Sequence, residues 1–354
     1  MKKQIAATII IKIGTGVITT EAGFLDESMM KKIVDEIMLL KKKGIRVVLV
    51  SSGAVAAGRA FVSPTKKLNR IEKRQVLAAV GQGKLIATYE KYFRVCGFCS
   101  AQVLATKEDF RDRHHYLNMR GCLQALLDNN VIPIINENDV VSVDELMFTD
   151  NDELAGLVAS LLDAERLIIL STVDGVLDAQ GRVIPVIDIH AKLDHIESVK
   201  SAFGRGGMIT KVAVAKRLAK LGITTHIING TQPLNITRLI QGEHLGTTFP
   251  PERRVSSNKK WLALARGTEQ GVVTINSCAE DLFRETQKAM SLLPVGIVSV
   301  AGSFKKGEII KIVNESGHEL GYGRADYPVE EIRKVLGKKN QKPFVHYDYL
   351  FLDF

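Results

Sequence analysis

Short runs of apolar, mostly β-branched residues alternate with longer amphipathic segments over the first 250 residues. The apolar runs predict strands at six places: 5–13, 46–51, 98–104, 131–136, 166–171 and 225–228. The segments between them carry apolar residues at i, i+3 and i+4, which predicts helices over 27–43, 73–94, 113–129, 151–162 and 207–221. Uninterrupted apolar strands separated by helices are typical of an α/β fold with a mostly parallel sheet that helices cover on both faces.

The pattern changes near residue 250. Residues 250–260 carry the sequence PPERRVSSNKK, whose prolines, serines and charges predict an interdomain linker. Beyond it, strand-like runs at 271–276, 296–300 and 309–313 alternate with glycine turns, which favours hairpins over βαβ units. We therefore predict an α/β domain over 1–250, a linker over 251–266 and a small β-rich domain over 267–354.

The composition is typical of a globular protein with a large core. The chain has 354 residues, of which 45% are hydrophobic and 25% charged. The apolar runs are shorter than the roughly 18 residues that span a bilayer, and Lys12 interrupts the N-terminal run, so we predict a buried strand, no membrane association and a cytoplasmic location. The four cysteines lack paired metal spacing, which predicts free, buried thiols in a reducing compartment.

The net charge of +9 raises the question of a nucleic-acid partner. Residues 262–354 carry 12 Lys and Arg against 12 Asp and Glu, so residues 1–261 hold the whole excess, 36 basic residues (48 − 12) against 27 acidic ones (39 − 12). Nonspecific affinity for nucleic acid depends on Lys and Arg that neutralise phosphates. Anionic small molecules therefore explain the charge as well as RNA does, and we do not expect RNA binding by the neutral C-terminal domain.

Ligands of parallel sheets bind beyond the carboxyl ends of the strands. The first predicted strand contains Lys12 and ends in Gly14-Thr15-Gly16, where a lysine in an apolar run and exposed backbone N–H groups suit a phosphate. The second strand ends in SSGAVAAGR, which resembles a phosphate loop but lacks its lysine and its Ser or Thr. The residues alone leave open whether this stretch is an anion site or a plain turn.

Polar clusters follow the later strands. Asn136-Glu137-Asn138-Asp139 and Thr149-Asp150-Asn151-Asp152 hold more amide and carboxylate groups than one turn and one helix cap need. Such groups orient lysines, bind a substrate ammonium or hold Mg²⁺. The strand over 166–171 ends at Ser171 and Thr172, and GRGGMITK at 204–211 suits a phosphate lid that opens a helix. No nucleophile elbow accompanies them, and the adjacent His114 and His115 make a poor metal pair.

Taken in order along the chain, these stretches resemble the glutamate 5-kinases of the amino-acid-kinase superfamily. The resemblance rests on IKIGTG, VLVSSGAVAAG, LAAVGQGKLI, LLDNNVIPIINENDVV, FTDNDELAGLVASLL, LIILSTVDGV and GRGGMITKVAVAKRLAKLGI. It continues in LLPVGIVSVAGSFKKGEIIKIVN, which is similar to the PUA domain of bacterial members. It covers roughly residues 5–345, and it implies the amino-acid-kinase fold followed by a PUA domain.

The resemblance also implies an activity and a site. Members transfer the γ-phosphoryl group of MgATP to the side-chain carboxylate of L-glutamate, the first step towards proline. The catalytic residues would be Lys12 and Lys211, which neutralise the transferred phosphoryl group, and Asp152, which holds both lysines. The residues that bind or lie near glutamate would be Ser52, Asp139, Asn151, Asn136 and Asp150. The residues at the nucleotide would be Lys12, Gly14, Thr15, Gly53, Ala54, Ser171, Thr172, Gly206, Gly207, Met208 and Lys211.

Three features depart from the family pattern. Thr172 replaces a usual Asp, Gly16 replaces a usual Ser, and the segment 178–204 is short, so these features affect the expected contacts with ATP. The resemblance further implies a homo-oligomer, a dimer or tetramer, and functional coupling to γ-glutamyl phosphate reductase. The alternatives are another activity of the superfamily, on a different carboxylate or phosphate, and RNA binding through the PUA domain.

Overall fold

The computed structural model describes residues 7–63, 68–111, 113–141, 151–191, 207–252, 257–263, 269–285 and 290–352. The chain divides into two compact units near residue 254, and residues 110–112 are not part of the first of them. No helix in these described ranges is long and apolar enough to cross a membrane.

The first unit is built on a seven-stranded sheet with the order β3-β4-β2-β1-β5-β6-β7. Its strands are β1 (Thr8–Ile13), β2 (Arg46–Ser51), β3 (Ser100–Ala105), β4 (Ile132–Glu137), β5 (Arg166–Ser171), β6 (Thr224–Asn229) and β7 (Thr247–Phe249). All neighbouring pairs are parallel except β6 and β7. The prediction of a mostly parallel α/β sheet is therefore confirmed. The short antiparallel edge strand β7 was not predicted.

Helices pack on both faces of this sheet. In the described residues up to 240, the helices are α1 (Glu27–Lys42), α2 (Ala54–Arg59), α3 (Arg70–Val95), α4 (Lys107–Arg111), α5 (Arg113–Asp128), α6 (Asn151–Leu161), α7 (Met208–Lys220) and α8 (Asn235–Ile240). Because side chains alternate along a strand, Ile9, Ile11 and Ile13 of β1 join one apolar core with residues of α1, α3 and α8. Lys12 points to the other face, where α6 packs against β1.

The sheet order brings four strand ends together. Strand β1 pairs with β2 on one side and β5 on the other, and β2 pairs with β4. All four run in the same direction, so their carboxyl ends lie at one edge. The loops that follow Ile13, Ser51, Glu137 and Ser171 therefore begin side by side.

The second unit contains a separate five-stranded sheet with the order β12-β11-β10-β8-β9. Its elements are α9 (Ser257–Ala263), β8 (Gly271–Ile275), α10 (Ser277–Glu285), β9 (Ile297–Gly302), β10 (Ile309–Val313), β11 (Glu319–Arg324), α11 (Val329–Val335) and β12 (Leu350–Leu352). The predicted hairpin geometry is present where β10 turns back into β11, although β8 and β10 pair in parallel. Apolar residues of this unit, among them Ile310 of β10 and Phe304 and Phe344 of its loops, form a core of their own.

Two details differ from the sequence-based expectations. Helix α9 lies within the segment predicted as a linker, and its Trp261 and Leu262 are buried, which is unusual for a linker. The prediction of buried thiols was wrong, because Cys96, Cys99 and the other two cysteines, Cys122 and Cys278, are all exposed. Three of them lie near helix ends or on outward helix faces, and the pattern of apolar residues does not predict burial at such positions.

Candidate active site

A cleft of about 960 Å³ opens where the four strand ends meet. Its walls come from the loops after β1, β2, β4 and β5, and from the beginnings of α2, α3, α6 and α7. Sequence-predicted residues on its lining are Lys12, Gly14, Thr15, Ser52, Gly53, Ala54, Asn136, Asp139, Asn151, Ser171, Thr172 and Lys211. Residues that are far apart in the chain thus share one cavity.

Two lysines and one aspartate form a buried charge cluster at the base of this cleft. Asp152, the second residue of α6, is fully buried, and its carboxylate lies 2.6 Å from Lys12 Nζ and 2.8 Å from Lys211 Nζ. Lys12 is the last residue but one of β1, and Lys211 lies in the first turn of α7. A shared carboxylate fixes both ammonium groups, yet the cluster keeps one positive charge in excess. That excess favours an anion in the cleft.

A second, uncharged network lies beside the cluster. The amide of Asn151 donates to Ser52 Oγ at 2.8 Å and to Asn136 Oδ1 at 3.0 Å. Asn136 in turn donates to Gln82 of α3 at 2.9 Å. The network therefore ties the ends of β2 and β4 to the start of α6, which fixes the orientation of polar groups on the cleft wall.

The end of β2 is also held from within the core. Tyr89 of α3 is fully buried, and its hydroxyl lies 2.8 Å from Ser51 Oγ, which donates to the carbonyl of Ser52. Burial raises the pKa of Tyr89, so this phenol stays protonated. The hydrogen bonds restrain the peptide that leads into Gly53.

Two separate structural features explain why SSGAVAAG consists of small residues. Gly53 has a φ of +108°, a conformation that favours glycine, and a Cβ there would lie 3.0 Å from Ile18 Cδ1. A Cβ on Gly81 of α3 would lie 1.9 Å from the carbonyl oxygen of Ala54 and 2.3 Å from the nitrogen of Gly58. Helices α2 and α3 therefore pack backbone against backbone, which sets the position of the turn at the cleft.

Arg74 of α3 is a cleft residue that the sequence analysis did not identify. Its Nε donates to Asp139 Oδ1 at 2.6 Å, and its Nη2 lies 2.9 Å from Glu137 Oε2. Glu137 and Asp139 are both buried, whereas about a quarter of the Arg74 side chain is exposed, towards the cleft that it lines. The sequence did contain a signal for the start of this helix, the capping box Asn69-x-x-Glu72. It places the first residue of α3 at 70, whereas the predicted helix began at 73.

The residues predicted at the nucleotide divide into three groups. Thr15, Gly53, Ala54, Ser171 and Thr172 line the cleft. Gly14 also does so, but its N–H donates to the carbonyl of Leu170 at 3.3 Å, so the expectation of a free N–H there does not hold. Gly207 caps α7 and Met208 begins it, and neither lines the cleft. Gly206 lies outside the described residues, as does Asp150, which was predicted near glutamate.

Two of the departures from the family pattern meet at this point. A Cβ on Gly16 would lie 3.0 Å from Cγ2 of Thr172, which is tighter than an ordinary contact. A side chain at position 16 would therefore require the methyl group of Thr172 to move by a few tenths of an ångström.

Comparison with known proteins agrees with this architecture. The model of the amino acid kinase family matches residues 7–229, and the model of the PUA domain matches residues 271–345. A glutamate 5-kinase from Chlorobaculum tepidum is 48% identical over 352 residues, which cover 97% of each chain. A glutamate 5-kinase from Bacteroides thetaiotaomicron is 45% identical over 361 residues, which cover 99% of this chain and 100% of the relative.

A solved structure shares the fold of the first unit. Carbamate kinase from Giardia lamblia bound to AMP-PNP is similar with a TM-score of 0.51 and 21% sequence identity, over 70% of this chain and 99% of that chain. The prediction of the amino-acid-kinase fold is confirmed by this likeness together with the family match.

Proposed function

The chain belongs to the amino acid kinase family and, within it, to the glutamate 5-kinases, and we propose on this basis that it phosphorylates the γ-carboxylate of L-glutamate with ATP. The observation that carries the proposal is identity of 45–48% to glutamate 5-kinases over 97–99% of the chain. The Lys12–Asp152–Lys211 cluster supports it, because a phosphoryl transfer needs fixed positive charge at its centre.

The proposed reaction is an in-line displacement. A γ-carboxylate oxygen of glutamate forms a bond to the γ-phosphorus of ATP, the bond from that phosphorus to the β,γ-bridging oxygen breaks, and ADP leaves with the electron pair. A carboxylate is already a nucleophile, so the reaction needs no strong general base. Catalysis rests on positioning and on charge stabilisation of the equatorial oxygens by Lys12 and Lys211.

Glutamate would occupy the side of the cleft that carries the amide network. We propose that Ser52 and Asn151 bind the substrate, that Asp139 accepts hydrogen bonds from its α-ammonium group, and that Asn136 supports them. The 2.8 Å bond between Asn151 and Ser52 supports this proposal, since it holds both polar groups at the same wall. Asp150, which we also propose near the substrate, lies outside the described residues.

ATP would occupy the opposite side, near the ends of β1 and β5. We propose that Thr15, Gly53, Ala54, Ser171 and Thr172 contact ATP. Gly14 would line the same part of the cleft and leave space for the nucleotide, because it has no side chain. In the described part of the chain, no group of three or more His, Cys, Asp or Glu residues could hold a metal ion. We propose that Mg²⁺ binds as the ATP complex, because Mg²⁺ commonly keeps phosphate and water ligands.

The product would be an acyl phosphate, and the reaction would be the first step of proline biosynthesis. Acyl phosphates react readily with water, so coupling to a reductase that consumes the product remains part of the proposal. We also propose a cytoplasmic homo-oligomer, with a kinase domain over 1–250 and a PUA domain over 267–354.

Trapping with hydroxylamine tests the proposed function. Hydroxylamine converts an acyl phosphate to a hydroxamate, which is then detected as its coloured complex with iron(III). The purified chain with MgATP and glutamate should therefore give γ-glutamyl hydroxamate and ADP in equal amounts. A panel of acceptors (aspartate, N-acetylglutamate, carbamate and UMP) serves as the control. Hydroxamate or phosphorylated product from one of these, with none from glutamate, would overturn the proposal.

A further inference from the structure

Arg74 bridges two carboxylates at the glutamate side of the cleft. The guanidinium uses one edge for this: Nε and Nη2 both contact Asp139 Oδ1, at 2.6 and 2.5 Å, and Nη2 also contacts Glu137 Oε2 at 2.9 Å. The neighbouring Gln75 donates to the carbonyl of Val140 at 2.9 Å, so α3 is tied to the chain on the other side of Asp139 as well. The arginine is therefore held in place by two acidic residues and a backbone bond.

The contacts leave one nitrogen of the guanidinium and one oxygen of the Asp139 carboxylate unused. Arg74 Nη1 and Asp139 Oδ2 have no hydrogen-bond partner within the described ranges, although both residues line the cleft. A guanidinium is a rigid planar donor that suits a carboxylate, and a carboxylate oxygen suits an ammonium group. An unused donor and an unused acceptor thus belong to two side chains that are already in contact.

We propose that Arg74 binds the α-carboxylate of the substrate, beside the α-ammonium group that Asp139 contacts under the proposed function. This inference rests on the proposed function and adds the origin of the selectivity for an α-amino acid. Both charges of the zwitterion meet an opposite charge, while the side-chain carboxylate extends towards Ser52 and the two lysines. Asn136 and Glu137 are consecutive residues of β4, so the amide network and the charged pair share one strand end.

Glu137 has a separate part in this arrangement. Its side chain is 3% exposed, so its carboxylate needs a partner, and Arg74 Nη2 supplies it. That bond keeps the guanidinium in place when Asp139 engages an ammonium group. Two carboxylates and one guanidinium carry a net charge of −1, which favours the ammonium end of the zwitterion without repelling the α-carboxylate from Arg74 itself.

Two truncated ligands separate the two halves of this recognition. Glutarate is glutamate without the α-ammonium group, and 4-aminobutyrate is glutamate without the α-carboxylate. Each is measured as a competitive inhibitor against glutamate, with MgATP saturating. The carboxylate ratio is the inhibition constant of 4-aminobutyrate divided by the KM for glutamate, and the ammonium ratio is the same quotient for glutarate.

Arg74→Gln should lower the carboxylate ratio by roughly 10- to 100-fold, since a hydrogen bond between charged groups is lost for glutamate but never existed for 4-aminobutyrate. Asp139→Asn should lower the ammonium ratio by a similar factor and leave the carboxylate ratio within about threefold. Arg74→Lys should keep part of the carboxylate ratio, because it retains a charge without the planar fork. Lys73→Gln removes an exposed charge from the same helix and is the matched control.

The opposite pattern would overturn the inference. If Arg74 only holds Asp139 in position, Arg74→Gln lowers the ammonium ratio and leaves the carboxylate ratio unchanged. If Arg74→Gln does not fold, Arg74→Lys and the two ratios of the wild type still decide, since a wild-type carboxylate ratio near 1 excludes a contact to the α-carboxylate. A wild type that does not phosphorylate glutamate at all would instead refute the proposed function.

Discussion

Replacing Asp152 by Asn tests the charge cluster at the base of the cleft. The carboxylate of Asp152 is fully buried between two ammonium groups, and Lys12 and Lys211 are themselves only 4% and 9% exposed. The substitution keeps the size of the side chain but raises the net charge of the cluster from +1 to +2. Two buried ammonium groups then repel each other without a counter-charge.

The expected loss of stability follows from that geometry. Removal of one partner from a buried ion pair costs about 3–5 kcal/mol. Both lysines line the cleft and keep some contact with solvent, so we expect the lower end, about 3 kcal/mol, in urea unfolding followed by circular dichroism. The value of kcat should fall by roughly 10²- to 10³-fold, as it does when one preorganised charge contact is lost from a transition state.

Lys211→Met is the control that distinguishes the effect of the cluster's net charge from the effect of altered side-chain packing. Alone, it leaves Asp152 paired with Lys12 and should cost little stability while lowering kcat strongly. Combined with Asp152→Asn it returns the cluster to +1, so the double variant should be more stable than Asp152→Asn alone and remain inactive. The reasoning is refuted if Asp152→Asn unfolds like the wild type, or if the two substitutions destabilise additively.

Three further predictions concern other parts of the first unit. Asp139→Ala should raise the KM for glutamate at least tenfold with a smaller change in kcat, as measured by coupled ADP release, and an unchanged KM would contradict its role. Gly81→Ala should cost about 1–3 kcal/mol in urea unfolding and lower kcat, because its Cβ would lie 1.9 Å from the carbonyl of Ala54; Gly83→Ala, with open space around its Cβ, is the control. Burial lowers the pKa of His226 to about 4, so this residue is neutral in the fold while it takes up a proton near its ordinary pKa of about 6.5 when unfolded. The stability it contributes is therefore present above pH 6.5 and is lost as the pH falls towards 4, by about 2 kcal/mol between pH 7 and pH 5. His226→Asn should remove that part of the acid sensitivity, and identical pH profiles of unfolding would contradict it.

Much of the two sheets could be predicted because many of their strands are short, mostly apolar runs. The bounds of β2, β5 and β10 are the predicted ones, and each of these strands has four apolar residues. Strand β7 has three residues with two threonines, too short and too polar for a periodic signal. The exposure of the cysteines depends on helix faces and turns that apolar periodicity does not fix.

The candidate site was predictable as far as it follows from strand ends. Lys12 and Ser52 lie at or just after the carboxyl ends of parallel strands. The rule that ligands bind beyond these ends therefore identified both residues. Arg74 was missed because it comes from a helix that only the tertiary fold brings over β4. The packing of Gly58 against α3 was likewise invisible in the sequence, because close backbone approach has no local pattern that distinguishes it from a phosphate loop.

A crystal structure with glutamate and a non-hydrolysable ATP analogue tests the central claim most directly. The account predicts the γ-carboxylate of glutamate in line with the γ-phosphate, with Lys12 and Lys211 in contact with the phosphate oxygens and Asp152 still between the two lysines. The α-carboxylate should contact Arg74 and the α-ammonium should contact Asp139. Glutamate bound outside this cleft, or a γ-phosphate in contact with neither lysine, would contradict the account.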